Sequence, residues 1–207
     1  MTNSSNSLIW LASASPRRSA LLSQIGVAHT VRPVDIDESQ RPGELPLDYV
    51  RRLAIAKAEA LWSQLDVQER APVLGSDTTV ALGNDVLGKP RDRDDAMRIL
   101  RRLSARTHQV YTAVAVRHPQ GCDCRVSVSD VSMRALREEE IAAYWESGEP
   151  GDKAGAYGIQ GLAALFIERI DGSYSGIVGL PLFETGELLR MAGWSIGKAA
   201  VQVGVSA

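Results

Sequence analysis

Apolar positions along this chain switch between a period of two and a helical period, and the switches mark out elements. An apolar run at residues 8–12 predicts a buried strand. Ser15 and Pro16 then suit an N-cap and a first helical position, and Leu21, Leu22 and Ile25 follow at helical spacing before Gly26 closes the turn. Residues 29–36 read as a second strand. The stripe Val50, Leu53, Ala54, Ala58, Leu61 and Leu65 predicts a long helix capped by Asp48. Residues 72–82 read as a strand, Gly83-Asn84 as its turn, and Val86 and Leu87 as the returning arm.

Asp92 caps a further helix with Ala96, Ile99, Leu100 and Leu103 buried. Val110, Thr112, Val114 and Val116 share one face of a strand over 108–116, and residues 125–135 return beside it across Pro119-Gln120-Gly121. The apolar phase changes after Val128, which predicts a bulge near Ser129 and Asp130. A helix over 138–147 turns Ile141, Ala142 and Trp145 inward. Strands at 162–170 and 173–178 are expected to form a hairpin through Asp171-Gly172, before a last helix that starts at Pro181 and buries Leu188, Leu189 and Met191. Strands interleaved with helices place the chain in the α/β class.

Composition narrows the function. With 207 residues, 44% hydrophobic, the chain can bury a full core as a single domain, with residues 1–7 and 195–207 expected as flexible tails. A net charge of -2 without a long basic run argues against nucleic acid as partner. The first apolar run is too short for a signal segment or a membrane span, so a cytoplasmic protein with no membrane partner is expected. Cys122 and Cys124 are too close and too few for a disulfide framework and read as turn thiols.

Six places carry chemistry. Ser13-Ala14-Ser15-Pro16-Arg17-Arg18 combines a helix N-terminus with hydroxyls and two cations, a ready anion site, although an arginine pair in a first turn also reads as solvated. Asp35, Asp37 and Glu38 form either a solvated acidic turn or a hard-oxygen site for a divalent cation. Lys57 falls on an apolar helix stripe, where it must snorkel or face a partner in a cleft. Asp77 stands mid-strand, where a buried carboxylate demands a cation, a metal or a catalytic task, and Gly75 beside it permits close backbone approach. Lys89 is held by Pro90. Finally, the glycine-punctuated stretch 149–161 suits a loop wrapped around a ligand, with Lys153 for a phosphate and Gln160 for a base edge.

Ser13 to Arg18, Gly75-Ser76-Asp77-Thr78 and the 149–161 stretch together resemble the Maf family of nucleoside triphosphate pyrophosphatases, from about Ile9 to Gly193. The resemblance implies an elongated mixed β-sheet flanked by helices, with two lobes around a cleft, similar to the inosine triphosphatase-like group. It implies that Ser13, Arg17, Arg18, Glu38, Lys57, Asp77, Lys89, Lys153 and Gln160 converge there. Asp77 would be the proton acceptor, Glu38 and Lys57 would assist catalysis, and Glu38 and Asp77 would hold Mg²⁺ or Mn²⁺. Arg17, Thr78 and Gln160 match the marks of the subgroup that hydrolyses dTTP and UTP to the monophosphate and pyrophosphate, rather than the subgroup acting on 7-methyl-GTP. A homodimer is usual in the family. Gly176 departs from it, where a larger residue is usual, and a small effect on packing is expected. The rival readings are a nucleotide-sensing regulator of cell division, or an inert interaction protein with a fossil cleft.

Overall fold

A computed structural model describes residues 8–194. The expected tails, 1–7 and 195–207, lie outside the described residues. Seven strands form one mixed sheet: β1 (Ile9–Leu11), β2 (His29–Val31), β3 (Val73–Leu82), β4 (Asp85–Leu87), β5 (Thr107–His118), β6 (Gly121–Met133) and β7 (Ile167–Asp171). Their order is β2-β1-β3-β5-β6-β7, with β4 paired to β3. β1 runs parallel to β2 and β3, and the remaining pairs are antiparallel. Among the described residues six α-helices flank the sheet: α1 (Pro16–Gln24), α2 (Pro46–Gln64), α3 (Arg93–Leu103), α4 (Glu138–Glu146), α5 (Tyr174–Val178) and α6 (Leu182–Met191). No helix among the described residues is long and apolar enough to cross a membrane.

The alternation along β3 and β5 assigns the two faces. Val73, Ala113 and Ala115 pack against Val50, Ala54, Ala58 and Leu61 of α2, whereas Leu74, Val114 and Val116 pack against Leu21 and Leu22 of α1 and Leu188 and Leu189 of α6. A third buried cluster joins Leu100 and Leu103 of α3 to Ile141 and Tyr144 of α4, Val80, Val110 and Phe166. Small residues on the α2 face let that helix sit close to the sheet. At Gly75 the fit is tightest, since a Cβ there would lie 2.3 Å from the Ala54 carbonyl oxygen and 2.7 Å from the Ala58 nitrogen.

One topological feature decides where a ligand can enter. β1 pairs with β3 only at Val73 and Leu74, and β4 takes up that edge again only at Val80. On its other edge β3 pairs with β5 throughout, from Val73 to Ala81. The edge of Gly75 to Thr79 is therefore open to a neighbour other than a strand, at the carboxyl end of parallel β1, the position where open α/β sheets bind ligands.

Several local expectations are corrected. β2 stops at Val31, because Pro33 and the loop after it follow the rim of the cleft rather than the sheet. α2 begins at Pro46, so Asp48 lies in its first turn, where its charge suits the dipole, and is not the cap. The β5–β6 register is continuous through Ser129 and Asp130, and the irregularity falls between Ser132 and Met133 in the pairing with β7. Cys122 and Cys124 are half-buried thiols within β6, not in its turn, and burial pushes both up to about 11. In α4 the fully buried pair is Ile141 and Tyr144, with Ala142 and Trp145 only partly covered.

Residues 162–166 form a 3₁₀ turn rather than strand, and 174–178 form α5 rather than the second arm of a hairpin. The Ser173 hydroxyl accepts from the Gly176 N–H and starts that helix. Pro181 precedes α6 as its N-cap, and Met191 is 55% exposed. Gly176 is buried, and a Cβ on it would come within 3.1 Å of Ser173 Cβ and 3.3 Å of Ser127 Oγ, so this chain packs α5 against β6 more closely than a larger residue permits.

Candidate active site

The open edge of β3 forms the floor of a cleft of about 820 Å³. Ser13, Arg17, Arg18, Glu38, Lys57, Asp77, Thr78, Lys89, Lys153 and Gln160 all line it. Its walls come from the β1–α1 junction, α2 with the loop before it, the turn after β4, and residues 149–161.

Successive residues of β3 point to opposite faces, and the cleft uses both. Asp77 shares the α2 face with Gly75, and because Gly75 admits the helix, Lys57 one residue before Ala58 arrives over the carboxylate. Lys57 Nζ donates to Asp77 Oδ1 at 2.8 Å and pairs with Glu38 Oε1 at 2.6 Å. Lys57 and Asp77 are 8% and 7% exposed, so this lysine does not snorkel. Burial pushes Asp77 above the ordinary carboxylate range, further than the charges of Lys57 and Arg18 and the Lys57 hydrogen bond pull it back. Burial also works against ionised Glu38, but the hydrogen bond and charge of Lys57, with Lys89 and Arg18 beyond, outweigh it and hold Glu38 low.

Thr78 faces the other way, toward α1 and α5. Arg18 spans that side: its Nε donates to the Gly179 carbonyl at 2.8 Å, one Nη to Ser13 Oγ at 3.0 Å and the other to Thr78 Oγ1 at 3.3 Å. Ser13 Oγ also accepts from the Ser15 N–H at 3.2 Å. The Ser15 hydroxyl makes no capping bond to α1, so the predicted side-chain cap is absent while the N-cap position itself is right. With guanidinium, hydroxyls and the helix N-terminus on one wall, this side presents donors to an anion.

Within the 149–161 stretch, Glu149–Asp152 and Ala154–Ala156 fold as successive 3₁₀ turns, and Ala154, Ala156 and Tyr157 lean on the third cluster. Tyr157 is buried, with its hydroxyl 2.8 Å from His108 Nε2, and burial pulls His108 down to about 4. Lys153 Nζ donates to the Glu149 carbonyl and to Asp152 Oδ1, both at 2.6 Å, and Arg17 reaches the same aspartate at 3.4 Å. Lys89 and Gln160 stand exposed at the rim.

Asp35 and Asp37 do not line the cleft; of the three neighbouring carboxylates only Glu38 does. Tyr49, Glu149 and Asp152 were not singled out in the sequence. Tyr49 lies about two turns before Lys57 on α2, a spacing that could have shown it. Its hydroxyl donates to the Glu38 carbonyl at 2.9 Å, and burial, then the charges of Asp77 and Glu38, push it up to about 12.

Glu38 and Asp77 are hard-oxygen donors drawn toward one point by Lys57. Among the described residues they belong to no group of three His, Cys, Asp or Glu side chains able to cage a metal. Two carboxylates completed by phosphate oxygens are, however, how Mg²⁺ is usually held at nucleotide sites, so the donor set fits a divalent cation that arrives with substrate.

Residues 8–192 match the family described as Maf-like protein. A dTTP/UTP pyrophosphatase of Hahella chejuensis is 53% identical over 186 residues, covering 90% of this chain and 92% of that protein. Proteins of the same description from Methylobacillus flagellatus and Bordetella avium are 52% and 54% identical, covering 91% and 89% of this chain and 94% and 95% of their own lengths. Among solved structures, the Staphylococcus aureus Ham1 protein aligns over 61% of this chain and 72% of its own, at 15% identity and a TM-score of 0.45. With one family match spanning nearly all the described residues and relatives more than half identical over more than nine-tenths of their lengths, this chain belongs to the Maf-like protein family.

Proposed function

We propose that the cleft hydrolyses nucleoside triphosphates, dTTP and UTP by preference, to the nucleoside monophosphate and pyrophosphate. The observation that carries this is the buried Asp77–Lys57 pair, joined by the more exposed Glu38, in a cleft also lined by Arg17, Arg18, Lys89 and Lys153. The names of the relatives support the choice of reaction and base.

Asp77 accepts the proton of a water that attacks the α-phosphorus; the bond from that phosphorus to the bridging oxygen breaks, and pyrophosphate leaves with the electron pair. A carboxylate raised by burial is a better acceptor near neutral pH than an ordinary one. Lys57 holds Asp77 in place and shares charge with Glu38. Arg17, Arg18, Lys89 and Lys153 bind the phosphates and stabilise the charge that grows on the leaving group. Glu38 and Asp77 would hold Mg²⁺ or Mn²⁺, which when bound supplies further neutralisation of the polyphosphate. Gln160 offers an amide donor and acceptor to the base edge, next to Thr78 and Arg17 as the other subgroup marks. A homodimer in the cytoplasm, working on nucleotide pools, completes the reading; light scattering of the purified chain tests the dimer.

The deciding experiment is a panel of dTTP, UTP, CTP and 7-methyl-GTP with Mg²⁺, with pyrophosphate and orthophosphate assayed separately. Pyrophosphate released fastest from dTTP and UTP is expected. Orthophosphate as first product overturns the bond assignment, and dTTP binding without any release replaces the enzyme with a nucleotide sensor.

A further inference from the structure

The loop that carries Gln160 is closed by a single carboxylate. Glu149 Oε1 accepts from the Tyr144 hydroxyl at 2.6 Å, and its Oε2 accepts from the Leu162 N–H at 2.8 Å. The same Tyr144 oxygen accepts from the Gly158 N–H at 3.1 Å. Gly158 and Leu162 lie two residues before and two after Gln160, so one phenol and one carboxylate tie both sides of the base-facing residue to a common point. That point is rigid, because Tyr144 is buried on α4 with its ring edge-on to Phe166, centroids 5.3 Å apart.

Gly161 belongs to the same device. A Cβ on it would lie 2.1 Å from Glu149 Oε2, 2.4 Å from its Cδ and 2.5 Å from its Oε1, and these three nearest atoms all belong to Glu149. Its backbone, φ -111° and ψ -147°, lies just outside the main β region. At these distances the seated carboxylate excludes a side chain at 161 over and above any backbone preference.

We propose that Glu149, seated against Gly161, is a positioning residue for base selection: it staples the 158–162 turn so that Gln160 meets the bound base in one place. This rests on the assignment of Gln160 as base reader given above. A carboxylate suits the site. Both Glu149 oxygens act as acceptors, one from a phenol and one from an N–H, whereas a glutamine that keeps the Leu162 bond turns its NH₂ onto a Tyr144 oxygen that already accepts from Gly158 and so reverses the phenol bond. An aspartate, one methylene shorter, does not span both.

The test compares wild type, Glu149→Gln, Gly161→Ala and the double variant Glu149→Ala/Gly161→Ala against the single Glu149→Ala, on dTTP and CTP. Glu149→Gln and Gly161→Ala are each expected to cut the dTTP-to-CTP ratio of kcat/KM roughly tenfold, through a higher KM for dTTP, with kcat within about threefold. Adding Gly161→Ala to Glu149→Ala is expected to cost clearly less than it does in wild type, since the group it would strike is gone. Amide hydrogen exchange without nucleotide gives a readout independent of turnover: the Leu162 amide is expected to lose protection in Glu149→Ala, with the thermal midpoint showing the variant folded.

Unchanged protection at the Leu162 amide in that variant overturns the staple whatever the activity. So does a wild-type selectivity ratio in both single variants, or an equal penalty from Gly161→Ala in the two backgrounds. A wild-type enzyme with no dTTP or UTP preference instead overturns the base reading, while the exchange result still decides the staple.

Discussion

Two carboxylates in this molecule are each held by a cation, with opposite results. Glu140, on α4, accepts from both terminal nitrogens of Arg134 at 2.8 and 3.1 Å and from the Arg137 N–H at 2.9 Å, and those bonds pull it down to about 2. Asp77 also has a cation at 2.8 Å, yet it is pushed up. The difference is solvent and number of partners. Glu140 keeps water nearby and meets a guanidinium fork that satisfies both its oxygens, whereas Asp77 is buried and shares a single ammonium with Glu38. On the scaffold, pairing supports folding; in the cleft, it leaves Asp77 short of full stabilisation.

The largest expected effect comes from Asp77→Asn. Turnover should fall by about 10²–10⁴ while nucleotide binding persists. Because the folded Asp77 titrates above its ordinary value, its ionised form is a cost to the folded state at neutral pH. The variant's thermal midpoint should accordingly hold or rise, and a marked drop in a melting experiment would break the contrast with Glu140.

A smaller effect, on stability and activity together, is expected from Gly75→Ala. Its Cβ would strike the backbone of α2, and relief of that clash costs about 1–3 kcal/mol and moves Lys57 off Asp77. Denaturant unfolding with parallel kinetics checks this; a variant as active and stable as wild type would mean that the close helix approach does not position Lys57.

The smallest effect belongs to Glu140→Gln. A folded value below the ordinary 4.5 means that its contribution is fully present above that pH and is lost as pH falls through about 2. Melting curves should show the variant less stable near neutrality by a few degrees at most, with the gap closing toward pH 2 and turnover within about twofold of wild type. A constant gap at every pH would assign the loss to packing instead.

Much of the site was legible because its residues break local rules. A lysine on an apolar stripe and an aspartate inside a strand are each costly alone, and the structure shows the pairing that relieves them at 57 and 77. Asp92 reads as a cap from its position alone, and its side chain does accept from the Asp95 N–H. Residues 174–178 read as strand because Tyr174, Ile177 and Val178 favour one, but the Gly176 carbonyl accepts from Thr112 on β5, so tertiary contact favours the helix. Glu149 gave no sign, since nothing near it in sequence shows that Leu162 and Tyr144 will both be its partners.

The sequence by itself determined most of the local elements, through periodicity, and the kinds of charge that had to meet. Only the tertiary structure decided where they meet. The early end of β1 and the late start of β4 leave the edge of β3 open between Leu74 and Val80, and the missing side chain at Gly75 brings α2 down onto it. Pairings between distant segments depend on sheet order and on backbone distance, and neither is written in the spacing of residues within any one segment.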